Sequence, residues 1–226
     1  MIVEPSGIYD VDEFFDVLRD DPIDRWYEIG NVITVVDAKL ELELSDEADY
    51  LLASEAANAG CIVLSRSQEA EDEEIENTVA HLNHAMEKVQ CKRRFQNEII
   101  IKDWETFDNT DYEKLLSCGY VSENYRKMHI EEGETFKSLY FMNLDKTKDE
   151  ITEAAKKVLE DGECGKVFRV KGFLKDEAGE WLELNATHSK ITLQPIAEGQ
   201  DVLIVIGERL NKEAVENYIQ SDSFRM

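Results

Sequence analysis

Nowhere do these 226 residues contain G-x-x-x-x-G-K-[ST], the loop whose backbone N–H groups hold nucleotide phosphates. The one near match, Gly165-Lys166, lacks the upstream glycine and the Ser/Thr, and it continues into the strand-like Val167-Phe168-Arg169-Val170. Basic residues are scarce: 25 Lys and Arg stand against 50 Asp and Glu, a formal charge of −25. A field of that sign repels phosphate backbones and argues against nucleic acid as a partner. No apolar run approaches the roughly 20 residues that cross a bilayer, so no membrane partner is expected. No basic segment followed by an apolar stretch opens the chain, so no secretory signal is visible and a cytoplasmic location is expected by default.

Cysteine is sparse and scattered. Cys61, Cys91, Cys118 and Cys164 form no C-x-x-C pair and no zinc-finger spacing, which reads as four reduced thiols and no metal site. His81 and His84 have the i, i+3 spacing that can present two imidazoles to one metal. Both lie off the apolar stripe of their helix, however, and read as part of a solvated face. His129 and His188 are isolated. There is no internal repeat and no low-complexity tract.

What is present begins as alternating strand and helix. Ile2-Val3-Glu4-Pro5-Ser6-Gly7 reads as the end of a buried strand that delivers an acid, then a turn closed by glycine. That is the shape of a Walker B element, in which Glu4 orients water or Mg²⁺ beside a nucleotide and Gly7 permits the close turn. Val11 to Leu18 has helical spacing and stops at Asp20-Asp21-Pro22. Val32 to Ala38 is a near-continuous apolar run, as expected of a parallel strand buried on both faces. A helix over Ser45 to Ala59, a strand over Cys61 to Leu64 and a helix over Glu69 to Val89 follow. The last carries an apolar stripe of Ile75, Val79, Leu82, Met86 and Val89, with acids crowding its first turn. Glu98 to Ile101 reads as a strand and Asp111 to Leu116 as a short helix. This rhythm predicts an α/β domain with a parallel sheet over residues 1–121.

The pattern changes after Val121. Residues 122–136 are polar and read as a linker. Over 137–226 come a strand at Ser138 to Met142 and a T-x-x-E capping box, Thr147 and Glu150, before an amphipathic helix. Closely spaced strands at Lys166 to Phe173, Trp181 to Leu184, Ile191 to Leu193 and Val202 to Ile206 come next, then a helix from Lys212 to Ile219. Strands this close form antiparallel hairpins, so a smaller α+β domain is expected. Arg169 and Lys171 alternate onto one face of a strand, for contact with the first domain or an anion, or for pairing with nearby acids.

Four stretches, in order, resemble the CobW-type GTPases, the metal-chaperone and cobalamin-associated family. They are Val3 to Gly7, Val32 to Ala38, Ile62 to Gln68, and Arg169-Val170-Lys171-Gly172-Phe173. The resemblance implies the late part of a P-loop NTPase-type sheet domain followed by the family's C-terminal domain. It implies Glu4 as the catalytic acid and Gly7, Asp37, Ser65, Arg66, Ser67 and Gln68 as nucleotide-binding positions, with GTP and Mg²⁺ as the family's ligands.

The departures from the family pattern are specific. The phosphate loop and the C-x-C-C metal motif, which precede E-x-x-G in the family, are absent. The guanine-reading [NST]-K-x-D is Ser65-Arg66-Ser67-Gln68 here. An aspartate accepts two hydrogen bonds from guanine, whereas Gln68 offers one acceptor oxygen. The implied role is delivery of a metal or cobalamin-type cofactor to a metalloprotein or cobalamin-protein client, without GTP hydrolysis by this chain alone. The alternative is a non-enzymatic interaction or regulatory subunit that complements a separate P-loop-containing N-terminal half. With the strand that leads into a phosphate loop missing, the first sheet should present an edge that a second copy, as a homodimer, or that separate half would cover.

Overall fold

The computed structural model describes residues 1–5, 9, 11–41, 43–96, 98–128, 136–144, 146–176 and 178–220. The chain divides into two compact units, Met1–His129 and Ile130–Met226.

In the first unit the elements run α1 (Val11–Arg19), β1 (Ile33–Asp37), α2 (Asp46–Ala57), β2 (Cys61–Ser65), α3 (Asp72–Lys88), β3 (Ile99–Ile100) and α4 (Asn109–Leu116). Local chemistry sets their boundaries. The Ser45 hydroxyl accepts the Ala48 N–H at 3.0 Å to start α2, and a reciprocal Glu71/Glu74 capping box starts α3. Such caps satisfy backbone donors that a helix start leaves without partners. The three strands are parallel in the order β1-β2-β3, with Thr34 opposite Ile62, Val36 opposite Leu64 and Ile62 opposite Ile99.

These five residues point to one side of the sheet and are buried. That side carries α2, since the Thr34 hydroxyl donates to the Glu55 carbonyl at 2.9 Å. Helix α2 presents Ala53, Ala56 and Ala57, all fully buried, so it can approach its neighbours closely.

Three features of this unit differ from the sequence reading. Strand β1 is buried on one face only: Ile33 and Val35 remain 42% and 62% exposed. The reason is topological. β1 is the edge of the sheet, and an apolar run shows that a strand is suited to burial on both faces, not that both covers are present. Second, Ile2-Val3 is not the end of a buried strand. Residues 1–5 have no regular structure and Ile2 is 97% exposed. No described strand hydrogen-bonds to them along the free side of β1.

Third, the polar stretch after Val121 is tied down as far as Lys127. The Val121 N–H donates to the Asn58 carbonyl at 3.1 Å and that of Arg126 to Val89 at 2.7 Å. The Tyr125 hydroxyl donates to Asp12 at 2.7 Å and Lys127 pairs with the same carboxylate at 3.2 Å.

The second unit contains β4 (Phe136–Met142), α5 (Lys148–Glu160), β5 (Lys166–Lys175), β6 (Trp181–Ala186), β7 (Ile191–Pro195), β8 (Val202–Glu208) and α6 (Lys212–Ile219). Its five strands are antiparallel in the order β4-β8-β5-β6-β7. Alternation sends Phe141, Val170, Leu174, Leu182, Leu184, Leu203 and Val205 to one face. There they form a single core with Ile151, Ala155, Val158 and Leu159 of α5 and Val215 and Ile219 of α6. The Thr147/Glu150 capping box starts α5. The molecule is therefore mixed α/β, a partial parallel sheet domain followed by a smaller α+β domain with an antiparallel sheet.

Candidate functional site

The carboxyl ends of parallel strands are where open α/β sheets bind ligands, and the structure gathers several of the expected residues there. Asp37 ends β1 and Ser65 ends β2, directly opposite each other. After Ser65 the backbone turns at Arg66, whose φ of 57° is left-handed, into the short helical turn Ser67–Glu69. This turn folds the Arg66 side chain back over β1. Its Nε donates to Asp37 Oδ1 at 3.1 Å, and its Nη2 forms a still closer ion pair with Asp37 Oδ2. The pair is partly exposed, with about a third of each side chain reaching solvent.

Asp37 has a second task. Its Oδ1 also accepts the Lys39 N–H at 2.9 Å and so caps the turn that leaves β1. Lys39 then reaches Glu74 at 3.4 Å and the Glu69 carbonyl at 3.4 Å. The Thr78 hydroxyl of α3 donates to the Ala38 carbonyl at 2.9 Å and accepts the Leu40 N–H at 3.3 Å. The loops after β1 and β2 are thereby laced to each other and to α3.

Among the other expected residues, the Ser65 hydroxyl donates to the Val36 carbonyl at 3.4 Å. Ser67 opens the helical turn, and Gln68 faces solvent. Glu4 lies in the exposed, irregular segment 1–5, and no hydrogen bond or ion pair joins it to this strand end among the described residues. Gly7 lies outside the described residues.

This arrangement does not fit a guanine nucleotide. Reading guanine needs a carboxylate free to accept two N–H groups. Gln68 supplies one neutral acceptor, and Asp37 is engaged by Arg66 and by the backbone of Lys39. Mg²⁺ beside a nucleotide is held by one or two carboxylates together with substrate phosphates, and Asp37, which ends β1, is already engaged by Arg66 and the Lys39 N–H. No three His, Cys, Asp or Glu side chains gather around one point among the described residues. What the strand end does well is hold two loops in a fixed relation through a two-pronged Arg–carboxylate contact, a geometry that adds orientation as well as energy.

Two polar constellations elsewhere in the first unit were not foreseen. His81 is not part of a solvated face. Its side chain is 10% exposed, and its Nε2 lies 2.6 Å from Oδ1 of Asp49, which is itself buried. Lys88 takes the other Asp49 oxygen at 2.7 Å and reaches Asp46 at 2.6 Å. Lys88 holds Asp46 below the usual carboxylate range and is itself raised by its two acid partners. The signal was in the spacing: Asp46 and Asp49 are one turn apart on α2, and His81 and Lys88 are two turns apart on α3. His84 is exposed.

Arg93 is the second constellation. Its guanidinium donates to the carbonyls of Ala56 at 3.2 Å and Ala57 at 3.1 Å, and to that of Ala59 more closely still. It thus closes the carboxyl end of α2 and stacks over the Phe95 ring, 4.7 Å from its centre.

No protein-family model matches the chain, and neither does any curated protein. Among solved structures it is similar to Zn(II)-bound YjiA GTPase from E. coli, with 14% sequence identity over 93% of this chain and a TM-score of 0.36. The chain spans 65% of the length of that protein. A Zn(II)-bound triple mutant of YjiA GTPase gives 14% identity over 95% of this chain and 68% of the other, also with a TM-score of 0.36. Likeness this distant assigns no function.

Proposed function

We propose that this chain works in CobW-type delivery of a metal or cobalamin cofactor as a non-hydrolysing component that receives a phosphate-binding element from elsewhere. One observation carries the proposal. Strand β1 is an edge with an uncovered apolar face at Ile33 and Val35, and its carboxyl end holds Asp37 and the Arg66 loop. A phosphate loop follows a strand and precedes a helix. A parallel strand added to the free edge of β1 would therefore place its own carboxyl-end loop beside Asp37 and Arg66, while its helix covered the apolar face. The Asp37–Arg66 pair favours the interaction reading over an autonomous GTPase, because it ties up the acid and the base that nucleotide recognition would use.

The experiment is titration of the isolated chain with fluorescent GTP and Mg²⁺, alone and then with proteins co-purified from the source cells. The reading expects no saturable binding by the chain alone, and binding in the presence of a partner that carries a phosphate loop. Hydrolysis by the isolated chain above buffer background, abolished in Glu4→Gln, would overturn it.

A further inference from the structure

The antiparallel sheet of the second unit has two unlike faces. One is covered by α5 and α6. Among the described residues, no helix of this unit covers the opposite face. Strand alternation places there Tyr140 and Met142 of β4, Ile204 of β8, and Arg169, Lys171, Phe173 and Lys175 of β5. Tyr140 and Met142 are 64% and 51% exposed. On the neighbouring strand β6, Trp181, Glu183 and Asn185 face the same way.

Its charge runs against that of the chain. With 50 acids against 25 bases, cations should find carboxylates easily. Lys171 does, pairing with Glu183 at 3.0 Å. Arg169 is near enough to help lower the Glu183 carboxyl but forms no ion pair among the described residues; its Nε donates to the neutral amide oxygen of Asn185 at 2.7 Å. Lys175 lies over the Trp181 ring, 5.0 Å from its centre, and it too has no acid partner among the described residues. Lys171 stacks on Phe173 at 4.9 Å. Lys175, and Arg169 through its Nε, are thus held by a ring and a neutral amide rather than by an ion pair, which leaves charge for an outside anion. Screening in cellular salt confines the field of the remaining acids to about 8 Å, so a ligand on the sheet meets the local charge first.

We infer that this helix-free face docks an acidic polypeptide segment of a partner protein. Its carboxylates meet Arg169 and Lys175, and its aliphatic or aromatic side chains lie on Tyr140, Met142 and Ile204. Charge complementarity selects this occupant. A nucleic acid carries a charge at every residue and would accumulate repulsion from a chain of −25. A second copy would bring a further −25. A segment with a few acids and apolar anchors keeps the local attraction at little long-range cost. The inference concerns the second unit alone and does not depend on the proposal made for β1.

The test is fluorescence anisotropy on the full chain with a short fluorescein-labelled peptide of alternating Asp and Leu around a central Phe. Micromolar binding that fades with salt is expected. Arg169→Glu combined with Lys175→Glu should weaken it at least about tenfold. Tyr140→Ser should weaken it as well, while Lys212→Glu, on α6, should leave it unchanged. Lys175→Ala, a truncation at an exposed position, should also weaken binding, and melting curves check that every variant is folded. Four results would each overturn the inference. They are no binding by the wild-type chain, binding indifferent to these substitutions, displacement of the peptide by oligo(dT) at the same residues, and a sedimenting dimer that the same substitutions dissolve.

Discussion

Asp49 and His81 are joined by a 2.6 Å contact between a buried carboxylate on α2 and an imidazole on α3. Lys88 closes the other side of the same carboxylate, so both Asp49 oxygens are satisfied. A buried acid is tolerated when it is paired and hydrogen-bonded, and removing its partners is costly. The pair fixes the rotation of α3 on α2, which in turn places Thr78 beneath the loop after β1. A contact remote from the strand ends therefore helps to position them.

The first prediction concerns this clamp. Asp49→Ala leaves a mostly buried imidazole without its acceptor and Lys88 with Asp46 alone, and should cost about 2–3 kcal/mol of stability. Urea melts of Asp49→Ala, His81→Ala and the double variant form a cycle. Strictly additive losses would show that the 2.6 Å contact contributes nothing.

How much of this was legible beforehand differs from element to element. The strands and helices followed from apolar spacing and capping residues, because those depend on local chemistry. The rotation of α3 did not. Ile75 and Val79 suggested a stripe, yet the positions buried completely include Thr78 and Ala85. Small residues let α3 lie close to its neighbours, and that brought His81 inward with them. The exposure of Ile33 and Val35 was equally unreadable, because a strand's own sequence does not say which neighbours are present. At the candidate site, the resemblance implied Asp37 and Ser65–Gln68 as nucleotide-binding positions, but nothing in the sequence said that Arg66 would turn back onto Asp37.

The second prediction is a pH dependence. Burial raises the Glu55 carboxyl from 4.5 to about 7. A folded-state value above the unfolded one means that the folded chain holds the proton more tightly. The associated stability is fully present below pH 4.5, declines as pH rises toward 7, and is gone above it. The side chain is only partly sheltered, so the expected loss across that window is of the order of 1–3 kcal/mol. Denaturation midpoints of the wild-type chain and Glu55→Gln, measured from pH 5 to pH 8, should converge at the acid end and separate toward neutrality. Parallel curves would refute the assignment.

A third prediction follows from Glu208. It is 3% exposed at the end of β8, and its Oε2 is buried without a hydrogen-bond partner. Its other oxygen, Oε1, lies 3.8 Å from Arg209 Nε. An orphaned buried polar atom costs about 1–3 kcal/mol. Glu208→Met keeps most of the volume and removes that cost, so the variant should melt at a higher temperature than the wild-type chain. A lower melting temperature would mean that Glu208 makes a stabilising interaction that its surroundings do not reveal.

The last prediction concerns the edge of the first sheet. Val35 points out of β1 and is 62% exposed, so its side chain adds little to the stability of the unit itself. Val35→Lys should therefore change the free energy of unfolding by no more than about 0.5 kcal/mol, as is usual for a surface site. A lysine there is also the device by which sheet edges are kept from pairing. If β1 receives a strand and helix from another chain or segment, the substitution buries a charge in that contact and should abolish association while the unit stays folded. Melting curves and sedimentation with the co-purified partner, read together, separate the outcomes. A large loss of stability would show that Val35 is already packed within the chain. Association that survives Val35→Lys would show that the partner binds away from β1, and the proposal for this edge would fall with it.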